Sequence, residues 1–65
     1  MEIYWYDYEV VNPPSIKVYV RKQDAIKYAE ENNVSLINVY KHRDDLFYFI
    51  GALRKTSNGW KYIEN

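Results

Sequence analysis

The stretch Val11-Asn12-Pro13-Pro14-Ser15 constrains this chain more than any other. Two successive prolines have no backbone N–H and cannot extend a β-ladder, and the residue before a proline is held out of the helical region. Both flanks suit strands. Residues 2–10 are β-branched and aromatic, and Ile16-Lys17-Val18-Tyr19-Val20 alternates strictly. The chain is therefore expected to reverse at the prolines. Pairing the flanks around a five-residue loop, residues 11–15, sets Val10 against Ile16, Tyr8 against Val18 and Tyr6 against Val20 on one face. The other face then holds Glu9 against Lys17, Asp7 against Tyr19 and Trp5 against Arg21. The first face is apolar or aromatic throughout. The second offers an ion pair and a guanidinium over an indole ring.

A helix is expected over residues 21–33. On a 3.6-residue wheel Ala25, Ile26, Tyr28 and Ala29 share one arc, opposite Gln23, Asp24, Lys27, Glu30 and Glu31. The two alanines let such a helix approach a sheet closely. Asp24 suits the first turn, where the macrodipole favours an acid, and Asn33 suits the left-handed position after the last turn. Residues 35–42 then read as a strand, 43–45 as a turn, 46–54 as a strand apolar on both faces and so covered twice, and 55–59 as a turn. Asn58-Gly59 favours a tight reversal, and residues 60–63 form a last short strand. Gly51, inside the fourth strand, marks a bulge or a close backbone approach. The fold class is α+β: a single small domain, residues 1–65, in the order ββαβββ, with one helix packed on a mainly antiparallel, strongly curved sheet.

A chain of 65 residues has room for one core, and with no cysteine it has no disulfide or thiolate-bound zinc to support it. Glu2, Asp7 and Glu9 stand where a secretory leader would need a basic region and an apolar run, so a soluble, cytoplasmic protein is expected. The apolar, charge-free run at residues 46–53 is too short to span a bilayer, and no membrane partner is expected. Eight tyrosines accompany abundant Asn, Lys and Ile, all encoded by A/T-rich codons. An A/T-rich genome would raise the tyrosine count unaided, so placement of the tyrosines carries the argument.

Catalytic signals are sparse. His42 precedes Asp44 and Asp45, which suggests a metal site or an acid–base pair, but a lone His beside turn aspartates lacks further convergent ligands and reads better as a β-turn. The serines lack a second histidine and a glycine-rich oxyanion segment, and the two glycines form no phosphate loop. No enzymatic activity, metal, cofactor or small-molecule ligand is expected. Residues 3–33, a hairpin followed by a basic pair and an alanine-bearing helix, resemble the hairpin-then-helix of arm-type DNA-binding domains. The first strand is acidic where such a reader is basic, so no contact residue carries over.

What remains is coverage. One helix covers one face of a five-stranded sheet, and the opposite face should be polar unless curvature closes it or a partner meets it. Trp5, Tyr19 and Tyr40 are assigned there, beside Arg21. The expected function is therefore a small non-enzymatic protein–protein interaction module, a homodimer or an inhibitor-like binder, with Trp5, Tyr19, Arg21 and Tyr40 at the contact centre. Replacing Trp5 and Tyr19 should then spare folding. The alternative is weak nucleic-acid binding through the aromatics with Lys17, Arg21, Lys22 and Lys41, although nine basic and nine acidic residues cancel overall.

Overall fold

The computed structural model describes residues 3–65, so the Glu2 end of the first expected strand lies outside the described residues. Five strands and one helix follow the expected order: β1 (Tyr4–Asn12), β2 (Ser15–Tyr19), α1 (Lys22–Glu31), β3 (Leu36–Arg43), β4 (Leu46–Thr56) and β5 (Gly59–Glu64). The strands form one sheet in the order β2-β1-β3-β4-β5, and every neighbouring pair is antiparallel. The chain leaves edge strand β2, crosses the sheet as α1, and returns as β3 on the far side of β1.

The helix forms where its apolar arc predicts. Ala25 and Ala29 are fully buried, and Ile26 and Tyr28 pack beside them. Its end is a Schellman arrangement: Asn33 takes φ 57°, Val34 N–H donates to Ala29 O at 2.8 Å, and Asn33 N–H donates to Glu30 O at 3.4 Å. Asparagine tolerates this left-handed conformation because its short polar side chain costs little there. Val34 then returns to the core beside Ala29.

The first hairpin departs from expectation. Its turn contains only Pro13 and Pro14, joined by a cis peptide, and Asn12 still pairs with Ser15. Prolines cost the ladder only their own donors, so nothing forces Asn12 and Ser15 out of it. Shortening the loop from five residues to two shifts the pairing by one: Val10 faces Lys17, Glu9 faces Val18 and Tyr8 faces Tyr19. Because side chains alternate, that slip moves every β2 side chain to the opposite face. Lys17 and Tyr19 lie on the helix side with Val10. Ile16 and Val18 lie on the other side, 62% and 56% exposed. The expected Glu9–Lys17 and Trp5–Arg21 pairs do not form.

Tyr19 is therefore a packing residue and not an outward contact. Its ring meets Tyr28 at 6.0 Å between centroids, and Asn12 Nδ2 donates to the Tyr28 hydroxyl at 3.3 Å. Tyr19→Ala should cost about 2 kcal/mol, whereas Trp5→Ala, at an exposed position, should cost about 1 kcal/mol or less. Urea unfolding of the two variants followed by circular dichroism checks the order; equal costs would contradict the observed register.

The core consists of Val10, Ala25, Ala29, Ile37, Val39 and Leu53. The helix packs on β1, β2 and β3. Toward β5 and the end of β4 it extends Glu30, which accepts from Trp60 Nε1 at 3.1 Å and lies 3.5 Å from Lys55 Nζ. β4 is consequently not covered twice. Within it Gly51 and Leu53 are buried, but Leu46, Phe47, Tyr48 and Phe49 are exposed.

A register shift between Val39 and Tyr40 leaves Ile50 as an extra residue on β4, since Val39 faces Gly51 and Tyr40 faces Phe49. Its carbonyl accepts from Asn65 N–H and from the Tyr62 hydroxyl, each at 3.0 Å. The neighbouring Gly51 is a close approach, with the Tyr62 ring and the Ile63 carbonyl where a Cβ would stand. The last reversal uses Ser57 and Asn58, with Gly59 at φ 108° and Thr56 Oγ1 donating to Gly59 O at 2.7 Å.

Candidate functional site

The bulge at Ile50 decides which aromatics meet. Without it, Phe47 and Phe49 would share the helix-side face with Gly51 and Leu53; with it, they turn to the face opposite the helix. Direct cross-strand pairs there form two rows, Trp5–His42–Phe47 and Asp7–Tyr40–Phe49. The rings are in contact. Trp5 stacks on His42 at 4.8 Å and 6°, His42 meets Phe47 at 4.4 Å, and Phe47 stacks on Tyr40 at 4.8 Å and 14°. Tyr40 then meets Phe49 edge-on at 5.5 Å. The result is a continuous aromatic stack across β1, β3 and β4.

Its polar groups come from the same strands. His42 Nε2 lies 2.6 Å from Asp7 Oδ2, diagonally across the β1–β3 pair. Glu9 Oε1 accepts from Asn38 Nδ2 at 3.0 Å and from the Tyr40 hydroxyl at 3.4 Å. Partial burial, the nearby Glu9 charge and the hydrogen bond to it all hold the Tyr40 hydroxyl proton, raising its pKa above the ordinary tyrosine value. Tyr8 is raised as well, by burial and by Tyr6. A raised tyrosine pKa means the folded chain keeps a proton that the unfolded chain has released. Stability should therefore fall as pH rises beyond about 10. Tyr40→Phe should flatten part of that fall in urea titrations at successive alkaline pH values, and an unchanged slope would contradict the Glu9 contact.

The remaining expected residues are dispersed. Arg21 precedes the helix as its N-cap and is exposed, remote in the β-ladder from Trp5, whose ring lies on His42. Lys17 shares the helix side with Val10, and Lys22 is the first helical residue. Lys41 pairs with Tyr6 and places Nζ 4.4 Å over the Tyr4 ring, also away from the stack. Of the four expected contact residues, only Trp5 and Tyr40 share the open face. Asp44, at φ 55°, forms with Asp45 the β3–β4 turn, and His42 bonds to Asp7 rather than to either. Among the described residues no group of three or more His, Cys, Asp or Glu is placed to hold a metal ion. No helix among them is long and apolar enough to cross a membrane.

Sequence reasoning missed Phe47 and Phe49 as face residues and the Asp7–His42 pair. Every position from 46 to 50 is apolar, so alternation carried no sign of which side chains turn outward. The open face as a whole is more apolar than expected, because β2 adds Ile16 and Val18 and β5 adds Ile63. On the helix side a separate groove of about 290 Å³ lies where α1 stops short of β4 and β5, floored by Val39 and Leu53 and walled by Tyr6, Tyr8, Ile50 and Tyr62, with Lys22 at its edge. Compared with known proteins, the chain matches no protein-family model, no curated protein and no solved structure.

Proposed function

We propose that this protein is a small non-enzymatic protein–protein interaction module whose binding surface is the sheet face opposite the helix. One observation carries the reading: that face combines a contiguous aromatic stack with exposed aliphatic side chains, Phe47 being 56% and Trp5 44% exposed. Among the described residues the one helix is committed to the other face, and no element covers this one. Large apolar patches of this kind on small domains mark interaction sites, and aromatic residues dominate interface energetics. Trp5 and Tyr40 are the contact residues of the proposal, with Phe47 and Val18 beside them.

Nucleic-acid binding is the weaker reading. It needs cations beside the stacking rings, whereas Lys17, Lys22 and Lys41 belong to the helix side, the open face's own bases, Arg54 and Lys61, lie in the ladder row of Leu36, four residues along β3 from Tyr40, and the acids Asp7 and Glu9 belong to the stack. Nuclease-treated lysate of the source cells, passed over the immobilised protein, tests the proposal. Proteins retained by the wild type should be lost with Phe47→Lys and Val18→Lys, and kept with Lys27→Glu on the exposed helix side. Retention that ignores the face variants would remove the proposal.

A further inference from the structure

We propose that the occupant of the open face is a second copy of this chain, packed sheet to sheet about a two-fold axis parallel to the strands and centred on β3. The inference rests on the interaction reading above and adds its partner.

Charge on the face supplies the argument. Its acids, Asp7 and Glu9, stand on β1, one strand to one side of the central β3. Its bases, Arg54 and Lys61, stand on β4 and β5, on the other side. Arg54 and Lys61 face each other directly, and neither has an acidic partner among the described residues. Like charges set opposite one another in a ladder are unfavourable and call for a counter-charge. Glu9 uses Oε1 for both of its hydrogen bonds, which leaves Oε2 without a partner among the described residues.

Two closed arrangements are available to sheets packed face to face with aligned strands. An axis perpendicular to the strands would lay β1 over β1, acid on acid, and β5 over β5. An axis parallel to the strands lays β1 of one copy over β4 of the other and β2 over β5, with β3 over β3. Only the second brings opposite charges together. It keeps rows in register, so Glu9 of one copy lies over the row of Ala52 and Ile63 of the other. Arg54 is two residues along β4, about 6.6 Å, within an arginine's reach. The same operation places Val18 over Ile63 and Trp5 over Phe47, apolar on apolar, with the two Tyr40 rings at the axis.

The size is also adequate. Five strands at about 4.8 Å and seven or eight residues at about 3.3 Å give a projected area of roughly 600 Å². A corrugated side-chain surface of that projection approaches the roughly 800 Å² per partner of stable interfaces.

Sedimentation equilibrium of the full chain across the micromolar range, at low and high salt, tests the proposal. The wild type should sediment as a dimer that salt weakens. Arg54→Glu should weaken it roughly tenfold or more, and mixing Arg54→Glu chains with Glu9→Lys chains should restore much of the affinity. Circular dichroism checks each variant for folding. Should Glu9→Lys unfold because Asn38 and Tyr40 lose their acceptor, Glu9→Gln keeps that acceptor and should still weaken the dimer. A wild type that stays monomeric, or a dimer indifferent to Arg54→Glu, would overturn the self-pairing. If lysate capture still depends on Phe47 and Val18 while the wild type is monomeric, only the identity of the partner is wrong; if capture is also indifferent, the interaction reading falls with it.

Discussion

Replacing Ile37 by alanine should leave the chain largely unfolded at room temperature. Ile37 is fully buried at the centre of the sheet, on the strand that separates the two hairpins, and it is one of the two largest side chains completely removed from solvent. Truncating a buried isoleucine to alanine costs about 2–5 kcal/mol, the spread reflecting how far the site can collapse. Collapse is restricted here. The fully buried helix residues of the same core, Ala25 and Ala29, have no side chain long enough to move into the space. A core of this size in a chain with no disulfide supplies roughly 3–5 kcal/mol in total. The loss is thus comparable to the whole stability. Ile37→Val, which removes one methylene, should cost about 0.5–1.5 kcal/mol and keep the fold. Far-UV circular dichroism with urea titration measures both, and a cooperative transition of near-normal midpoint in Ile37→Ala would show that the core lies elsewhere.

The second large effect is expected at Gly51. A Cβ built there meets the Ile63 carbonyl oxygen, a backbone atom, and lies 2.7 Å from the Tyr62 hydroxyl and 2.9 Å from its ring. A flexible side chain could swing aside, but a strand backbone cannot without parting from its neighbour. Gly51→Ala should therefore push β5 away from β4, loosening the two hydrogen bonds that Ile50 O accepts from Tyr62 and Asn65. A cost of about 1–3 kcal/mol is expected, typical of overpacking. Amide exchange should quicken along β5 while β1, β2 and α1 keep their protection. Uniformly faster exchange would indicate that β5 is integral to the core rather than an edge held by this contact. Gly59 differs in kind, since nothing lies within 4 Å of its missing Cβ and only its positive φ selects glycine.

The pattern of success in the sequence reading has a physical basis. The helix, its apolar arc and its left-handed Asn33 were legible because each depends on residues a few positions apart. Gly51 was legible as a close approach because a glycine amid aromatic residues has few other uses. Register was not legible. Over residues 16–20 one set of side chains is Ile16, Val18 and Val20, and the other is Lys17 and Tyr19; hydrophobicity alone chooses the first for the core. The fold chooses the second, because a two-proline turn fixes parity and Tyr19 finds Tyr28. That choice took Tyr19 away from the candidate site and gave it Ile16 and Val18. The placement of Trp5 and Tyr40 on the open face survived because β1 and β3 alternate clearly, with Val10, Ile37 and Val39 buried on the other side.

The extra residue at Ile50 has an implication for how this protein could change. From Leu46 to Ile50 the strand is apolar at every step, so either of its sides is chemically suited to either face of the sheet. Sliding the tip of β4 by one residue, so that Ile50 pairs with Tyr40 and the extra residue passes into the turn, would erase the bulge and exchange the two sides of the tip. Ile50 and Tyr48 would then stand beside Tyr40 and His42, while the two phenylalanines would turn to the side of Tyr4 and Tyr6. The hairpin would remain, Gly51 would keep its place under Tyr62, and the helix would be untouched. A one-residue slip could thus exchange one set of exposed side chains for another on an unchanged scaffold, which makes this short uniform segment the part of the molecule where the proposed contact face is most easily rewritten.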